Sequence, residues 1–277
     1  MLYIVNLPSI FGDMTAMKYA IKNLELIEEK DAVISVTRRE LFSSFGVYES
    51  MKVMDGKIEY IGDHLDRLFE SARILKLEHN FKADSVITSL EQLVEINRDK
   101  KASLKLQLIG GKKPSLFAFT TVLPTYPYSY YTDGVKVITY VGERIFPRAK
   151  SNCLLLNYMA AREASLSNAL DAVLIDRDGF ALEGSRSNLF AVKGNTIITS
   201  EENVLYGVTR KRTLEIAEKL NLSVEFRKIA LLDIKQCLFD EVFITSTSMG
   251  AIPVRFVDEV LIGESFPKTN LINMELK

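Results

Sequence analysis

The chain has 277 residues, 35 Lys and Arg against 36 Asp and Glu, two His, two Cys and no Trp, and 47% of it is hydrophobic. That is enough apolar side chain for one or two ordinary folded domains, and it excludes intrinsic disorder as the main theme. A net charge of −1 lacks the basic excess that nucleic acid or an anionic membrane selects, and two histidines with two distant cysteines cannot build a multi-histidine or cysteine-rich metal centre.

Met1–Phe11 is apolar without a basic flank, and no apolar run approaches the ~18 residues that span a bilayer, so a cytoplasmic protein is expected. Ala16–Lys30 reads as a helix. Tyr48–Met54 and Ile58–Ile61 flank Asp55-Gly56 as a β-hairpin. Leu65, Leu68, Ala72 and Leu75 then recur at helical spacing, which predicts a helix over 63–75 with Asp63 as N-cap. A second helix is expected over Asp84–Asn97, and strands at Leu104–Leu108 and Ser115–Val122 around Gly110–Pro114.

Residues 123–134 hold two Pro and four Tyr without any period, which reads as an interdomain connector. The domains expected are therefore 1–122 and 135–277. After the connector come a strand at Val135–Val141, a helix over Asn152–Leu166, and strands at Ala172–Ile175, Phe180–Leu182, Leu189–Val192 and Thr196–Thr199 that read as a meander. A helix at Arg210–Leu220, a strand at Ser223–Arg227, a helix at Leu232–Leu238 and a strand at Glu241–Thr245 follow. Strands and helices cluster instead of alternating, which predicts an α+β protein, two α/β domains rather than a doubly wound sheet. Cys153 and Cys237 read as buried, reduced thiols.

Three places could hold an anion. Gly207-Val208-Thr209 precedes a helix, whose free N–H groups and positive dipole end attract a phosphate, although Thr209 also reads as a plain N-cap. Thr245-Ser246-Thr247-Ser248 puts four hydroxyls at a strand end, the makings of a backbone nest or of an ordinary polar turn. Arg67 lies off the apolar stripe of its helix, as a solvated charge also would. No Walker loop or Gly-x-Gly-x-x-Gly fingerprint is present. Lys150, just before an apolar helix, could be partly desolvated, which favours its neutral, nucleophilic amine, or could be simply exposed. Glu183 ends a strand beside Gly184, where pairing with Arg186 is one reading.

These pieces stand in one order: Gly46-Val47-Tyr48-Glu49, His64-Leu65-Asp66-Arg67-Leu68, Lys150 with Asn157 and Glu163-Ala164, Leu182-Glu183-Gly184-Ser185-Arg186-Ser187-Asn188-Leu189-Phe190, Gly207-Val208-Thr209-Arg210, and Thr247 ahead of Pro253-Val254. In that order the chain resembles the class IV, fold type IV, pyridoxal-phosphate aminotransferases. The resemblance implies two α/β domains with the cofactor in the cleft between them, and a homodimer. It implies that Lys150 forms the Schiff base and carries protons, that Glu183 faces the pyridine nitrogen, and that Arg67, Val208, Thr209, Thr247 and Ser248 form the phosphate cup. The implied reaction is ping-pong transfer of an amino group between an amino acid, branched-chain L or D, and a 2-oxo acid. Substrate-facing positions depart from the family patterns: Gly110 stands where the D-enzymes carry Arg. Tyr48, Lys105, Lys112 and Arg186 are the candidates for holding a substrate carboxylate, and Lys does not replace Arg there without loss. The related aminodeoxychorismate lyases, which eliminate pyruvate, are the alternative, suggested by Ser50 and opposed by Glu49. A catalytically silent relative is the third reading, and the presence of both Lys150 and Glu183 speaks against it.

Overall fold

The computed structural model describes residues 18–276. The chain divides into two compact units, one running to Pro124 and including Ala149–Cys153, the other Thr125–Arg148 with everything from Leu154 onward. The apolar Met1–Phe11 and the first two residues of the stretch expected as an N-terminal helix lie outside the described residues.

In the first unit, β1 (Tyr19–Lys22), β2 (Glu25–Glu28), β3 (Gly46–Met54), β4 (Lys57–Ile58), β5 (Lys101–Ile109) and β6 (Ser115–Thr121) form one antiparallel sheet in the order β2-β1-β6-β5-β3-β4. The expected helix over 16–30 is therefore corrected: its described part is the β1–β2 hairpin, which turns at Asn23 (φ 54°) and Leu24 (φ 74°). Two consecutive positive φ values give the turn that matches strand twist, and pairing of β1 with β6 outweighs a weak helical propensity. The Asp55-Gly56 turn joins β3 and β4 as expected, again with both φ values positive. A short helix, α1 (Arg39–Phe42), precedes β3, while α2 (Ile61–Ile74) and α3 (Ala83–Asn97) cover the sheet. Leu65, Leu68 and Ala72 of α2 and Val86, Leu90 and Leu93 of α3 close this core against Val47, Met51, Leu104 and Leu106. The helix α2 begins two residues earlier than expected, at a left-handed Tyr60, so Asp63 is not its N-cap but a first-turn acid that suits the dipole.

The second unit contains α4 (Ser129–Thr132), β7 (Val135–Val141), α5 (Leu155–Leu166), β8 (Asp171–Ile175), β9 (Phe180–Gly184), β10 (Asn188–Lys193), β11 (Thr196–Thr199), α6 (Val208–Lys219), β12 (Ser223–Phe226), β13 (Ile229–Ala230), α7 (Leu231–Lys235), β14 (Glu241–Ser246), β15 (Gly250–Val257), β16 (Val260–Leu261) and α8 (Pro267–Glu275). Its strands form a ten-stranded mixed sheet. Within that sheet β9-β10-β14-β15-β7-β8 closes on itself, β9 meeting β10 at the single register pair Glu183–Asn188. The strands read as a simple meander are thus separated at that seam, where β10 turns to pair with β14. From Thr125 on, the stretch read as a connector belongs to this unit, because Tyr126, Tyr130 and Tyr131 pack against its core and the Tyr131 hydroxyl donates to the Met249 carbonyl. The helix expected from Asn152 starts at Leu155, since residues 150–152 pair alongside β3 instead. Cys153 and Cys237 are free thiols and exposed, not buried as expected. Among the described residues no helix is long and apolar enough to cross a membrane.

Candidate active site

Strand alternation decides what the first unit presents. In β3, Val47, Glu49, Met51 and Val53 point into the core under the helices, and Tyr48, Ser50 and Lys52 point to the other face. Glu49 is therefore a carboxylate inside an apolar layer, and only partners make that tolerable. Arg67 grips it through Nε and Nη2, both at 2.7 Å, and the His64 Nδ1 hydrogen is donated to it at 2.7 Å. Burial pushes the Glu49 pKa up, but the charge and hydrogen bonds of Arg67 and the His64 contact outweigh it and hold the group at about 2. Burial pulls His64 below its ordinary value against the opposing pull of Glu49, so the ring is neutral, with Nε2 buried and unbonded among the described residues. Arg67 is thus not a solvated charge but a mostly buried one, 11% exposed and pre-aimed by Glu49.

Lys150 lies on the edge of the same unit. Its carbonyl accepts from Tyr48 N at 2.9 Å, Asn152 N donates to Gly46 O at 2.9 Å, and its own N–H donates to the buried Ser71 Oγ at 3.0 Å. Its ammonium stands 4.6 Å from the centre of the Tyr48 ring. A Cβ at Gly46 would overlap both Asn152 and the Leu108 carbonyl, which is why this close approach needs glycine. Further along the Tyr48 face, Lys105 Nζ donates to Ser50 Oγ at 2.7 Å. Lys112 is exposed in the β5–β6 turn, away from that row, and Gly110 is walled by Phe45, against which any side chain there would collide.

In the second unit the seam between β9 and β10 places Glu183 beside Asn188. Glu183, 4% exposed, receives Arg144 Nε at 2.7 Å and Leu205 N at 2.9 Å. The expected pairing with Arg186 is corrected: Arg186 is exposed and donates to the Leu170 carbonyl, because the Ser185–Ser187 turn is pulled the other way. That turn is fixed by buried Asp171, which accepts from Ala172 N, Ser185 N, Ser185 Oγ and Ser187 Oγ. Asn188 pairs with Glu183 on one side and Thr245 on the other, and its Nδ2 donates to the Leu205 carbonyl at 2.7 Å. One residue therefore ties Glu183, the 205–209 segment and the start of the hydroxyl turn together.

The 205–209 segment opens α6, whose N-cap is Gly207 and not Thr209. The cap makes no side-chain hydrogen bond and the first turn holds no acidic residue, which leaves the positive end of the dipole open to an external anion. Arg148 and Arg210 lie 3.4 Å and 4.9 Å from the centre of the Tyr206 ring, so the surroundings are cationic as well. Thr247 and Ser248 form the turn between β14 and β15, Ser248 Oγ lying 3.1 Å from the Tyr126 hydroxyl. Thr245 Oγ1, two residues before Thr247 on β14, is buried and has no hydrogen-bond partner among the described residues.

The structure thus brings Tyr48, Lys105 and Lys150 to one unit with Arg67, and Glu183, Val208, Thr209, Thr247 and Ser248 to the other. It leaves Lys112 and Arg186 outside both groups. Sequence reading gave no role to Glu49, Ser71, Arg144, Asp171 or Asn188. Glu49 and Asn188 stood inside quoted motifs, whereas Arg144 and Ser71 have no local signal.

Residues 46–257 match the family described as amino-transferase class IV. The chain belongs to the class IV aminotransferases. The matched span of this class IV aminotransferase runs from the first residue of β3 to the last of β15 and contains every residue named above as a site candidate. It is 31% identical over 258 residues to a D-alanine aminotransferase of Bacillus licheniformis, covering 88% of this chain and 90% of that one. It is 27% identical to a putative branched-chain-amino-acid aminotransferase of Methanocaldococcus jannaschii, covering 85% and 86%. Its fold superposes with a TM-score of 0.83 on the pyridoxal-phosphate-bound form of a hypothetical aminotransferase from Mycobacterium tuberculosis, at 20% identity and with 93% and 97% of the chains covered.

Proposed function

We propose that the chain uses pyridoxal 5'-phosphate to move an amino group between an amino acid and a 2-oxo acid, with Lys150 as the residue that holds the cofactor and moves the proton. The donor set suits that cofactor: an amine, a carboxylate and two anion-attracting stretches. The observation that carries the reading is the open, acid-free N-terminus of α6, tied through Asn188 to Glu183 and to the hydroxyl turn. When bound, the cofactor supplies an electron sink for the charge left at the amino acid's Cα. Arg67, the Val208 and Thr209 N–H groups and the Thr247 and Ser248 hydroxyls would take its phosphate. Glu183, backed by Arg144, would keep a proton on the ring nitrogen. The Lys150 amine would carry a proton from Cα and return it in the reverse half-reaction, so one residue serves both halves of a ping-pong cycle.

Tyr48 and Lys105 are proposed to face substrate, on the row next to Lys150. The names of the relatives support an amino donor of the D-alanine or branched-chain type, and a homodimer is proposed on the family's habit. Lys150→Ala is expected to abolish turnover while the protein stays folded by circular dichroism; substantial residual transamination would show that another lysine does the work. Glu183→Gln should slow turnover more than it weakens cofactor binding.

A further inference from the structure

We propose that Ser71 is a positioning residue that holds the Lys150 main chain in register with the helical turn carrying Arg67. The inference rests on the reading of Lys150 given above. Ser71 sits four residues after Arg67 on α2 and is fully buried, so the two share one side of the helix. Its hydroxyl does two things at once: it donates to the Arg67 carbonyl at 2.7 Å and accepts from Lys150 N at 3.0 Å.

The other side of Lys150 is fastened to β3 through Tyr48 N, and β3 also carries Glu49, which fixes the Arg67 guanidinium. The result is a closed circuit of short contacts: β3 to Arg67, Arg67 to Ser71, Ser71 to Lys150, Lys150 back to β3. A lysine stem has four rotatable bonds, so its amine is only as well placed as its Cα. Removing the hydroxyl takes the acceptor from the Lys150 N–H, and the hold on residues 149–153 then leans on the β3 pairing. Stability alone does not call for such a link, because a serine hydroxyl could satisfy itself on the helix carbonyl without reaching a second chain segment.

The experiment compares wild type with Ser71→Ala and Ser71→Cys, the thiol being a weaker acceptor of similar size. Three readouts are taken: backbone hydrogen exchange at Lys150 in the cofactor-free protein, the rate at which borohydride fixes added pyridoxal phosphate onto Lys150, located by peptide mass, and kcat against KM. For Ser71→Ala the expected result is faster exchange at 149–152 with α2 unchanged, slower incorporation, and kcat lower on the order of ten- to a hundredfold with little change in KM. Ser71→Cys should fall between. Incorporation and kcat equal to wild type in Ser71→Ala overturn the proposal, as does a loss that merely follows global unfolding with exchange raised throughout. Fixation on a different lysine in the wild-type protein overturns the reading of Lys150 and the proposal together, whereas fixation on Lys150 with unaltered variants overturns the proposal alone.

Discussion

Glu49 shows how a single residue couples fold to acid sensitivity. Its carboxyl is held at about 2 in the folded chain against an ordinary value of 4.5, so its contribution to stability is whole above pH 4.5 and is lost as the pH falls toward 2. His64 is held below its ordinary 6.5, so the unfolded chain takes up a proton that the folded chain refuses. Stability therefore begins to fall below pH 6.5 as well, with the same sign. His79, also lowered by burial, adds to that upper limb. Urea midpoints measured from pH 8 to pH 3 should decline in two stages, and His64→Asn should shrink the stage that sets in below pH 6.5 without removing it. A midpoint that rises on acidification would contradict the placement of both groups. The same side chain explains why Arg67 was half legible. Its position off the apolar stripe is visible from helical spacing, but its partner Glu49 comes from a strand eighteen residues earlier, and nothing local announces that pairing.

At the scale of elements, the site depends on a few glycines and on one asparagine. A Cβ at Gly207 would overlap Asn188 Oδ1, so Gly207→Ala forces Asn188 aside and breaks its bond to the Leu205 carbonyl. An unpaired buried polar group costs about 1–3 kcal/mol. Because Leu205 N also holds Glu183, the expected consequence is a cofactor dissociation constant raised on the order of tenfold, read by titration of the cofactor-free protein; an unchanged constant would dissociate the α6 N-terminus from cofactor binding. Most elements were readable because their signals are local: α3 and β11 come within a residue of the period, and the Asp55-Gly56 turn falls where its dipeptide says. The failures have a common cause. β1 and β2, the start of α5 and the strand β15, to which the sequence reading assigns no element, are all decided by partners distant in sequence. Strand formation at Gly250–Val257 is fixed by pairing with β14 and β7, which a window of neighbouring residues cannot register.

At the scale of the molecule, membership of the class IV aminotransferases accounts for what weak motifs could not establish singly. The lysine proposed as catalytic, the carboxylate proposed to face the ring and the proposed anion cup come from different stretches of sequence, and each alone is an ordinary lysine, strand end or helix start. The supports around them, Arg144 on Glu183 and Asp171 under the Ser185–Ser187 turn, are long-range contacts and were beyond reach of any motif. Substrate choice is the part least written in local sequence, since the departure at Gly110 removes the arginine that the resemblance leads one to expect without naming a successor. The measurement that tests the account most directly is the absorption spectrum of the protein loaded with pyridoxal phosphate, recorded as single L- and D-amino acids are added without any acceptor. The account predicts that a D-amino acid or a branched-chain L-amino acid converts the bound cofactor to its pyridoxamine form and releases one equivalent of 2-oxo acid, and that Lys150→Ala shows no catalytic conversion. A loaded protein whose spectrum no amino acid changes, or one that releases pyruvate by elimination from aminodeoxychorismate instead, would contradict it.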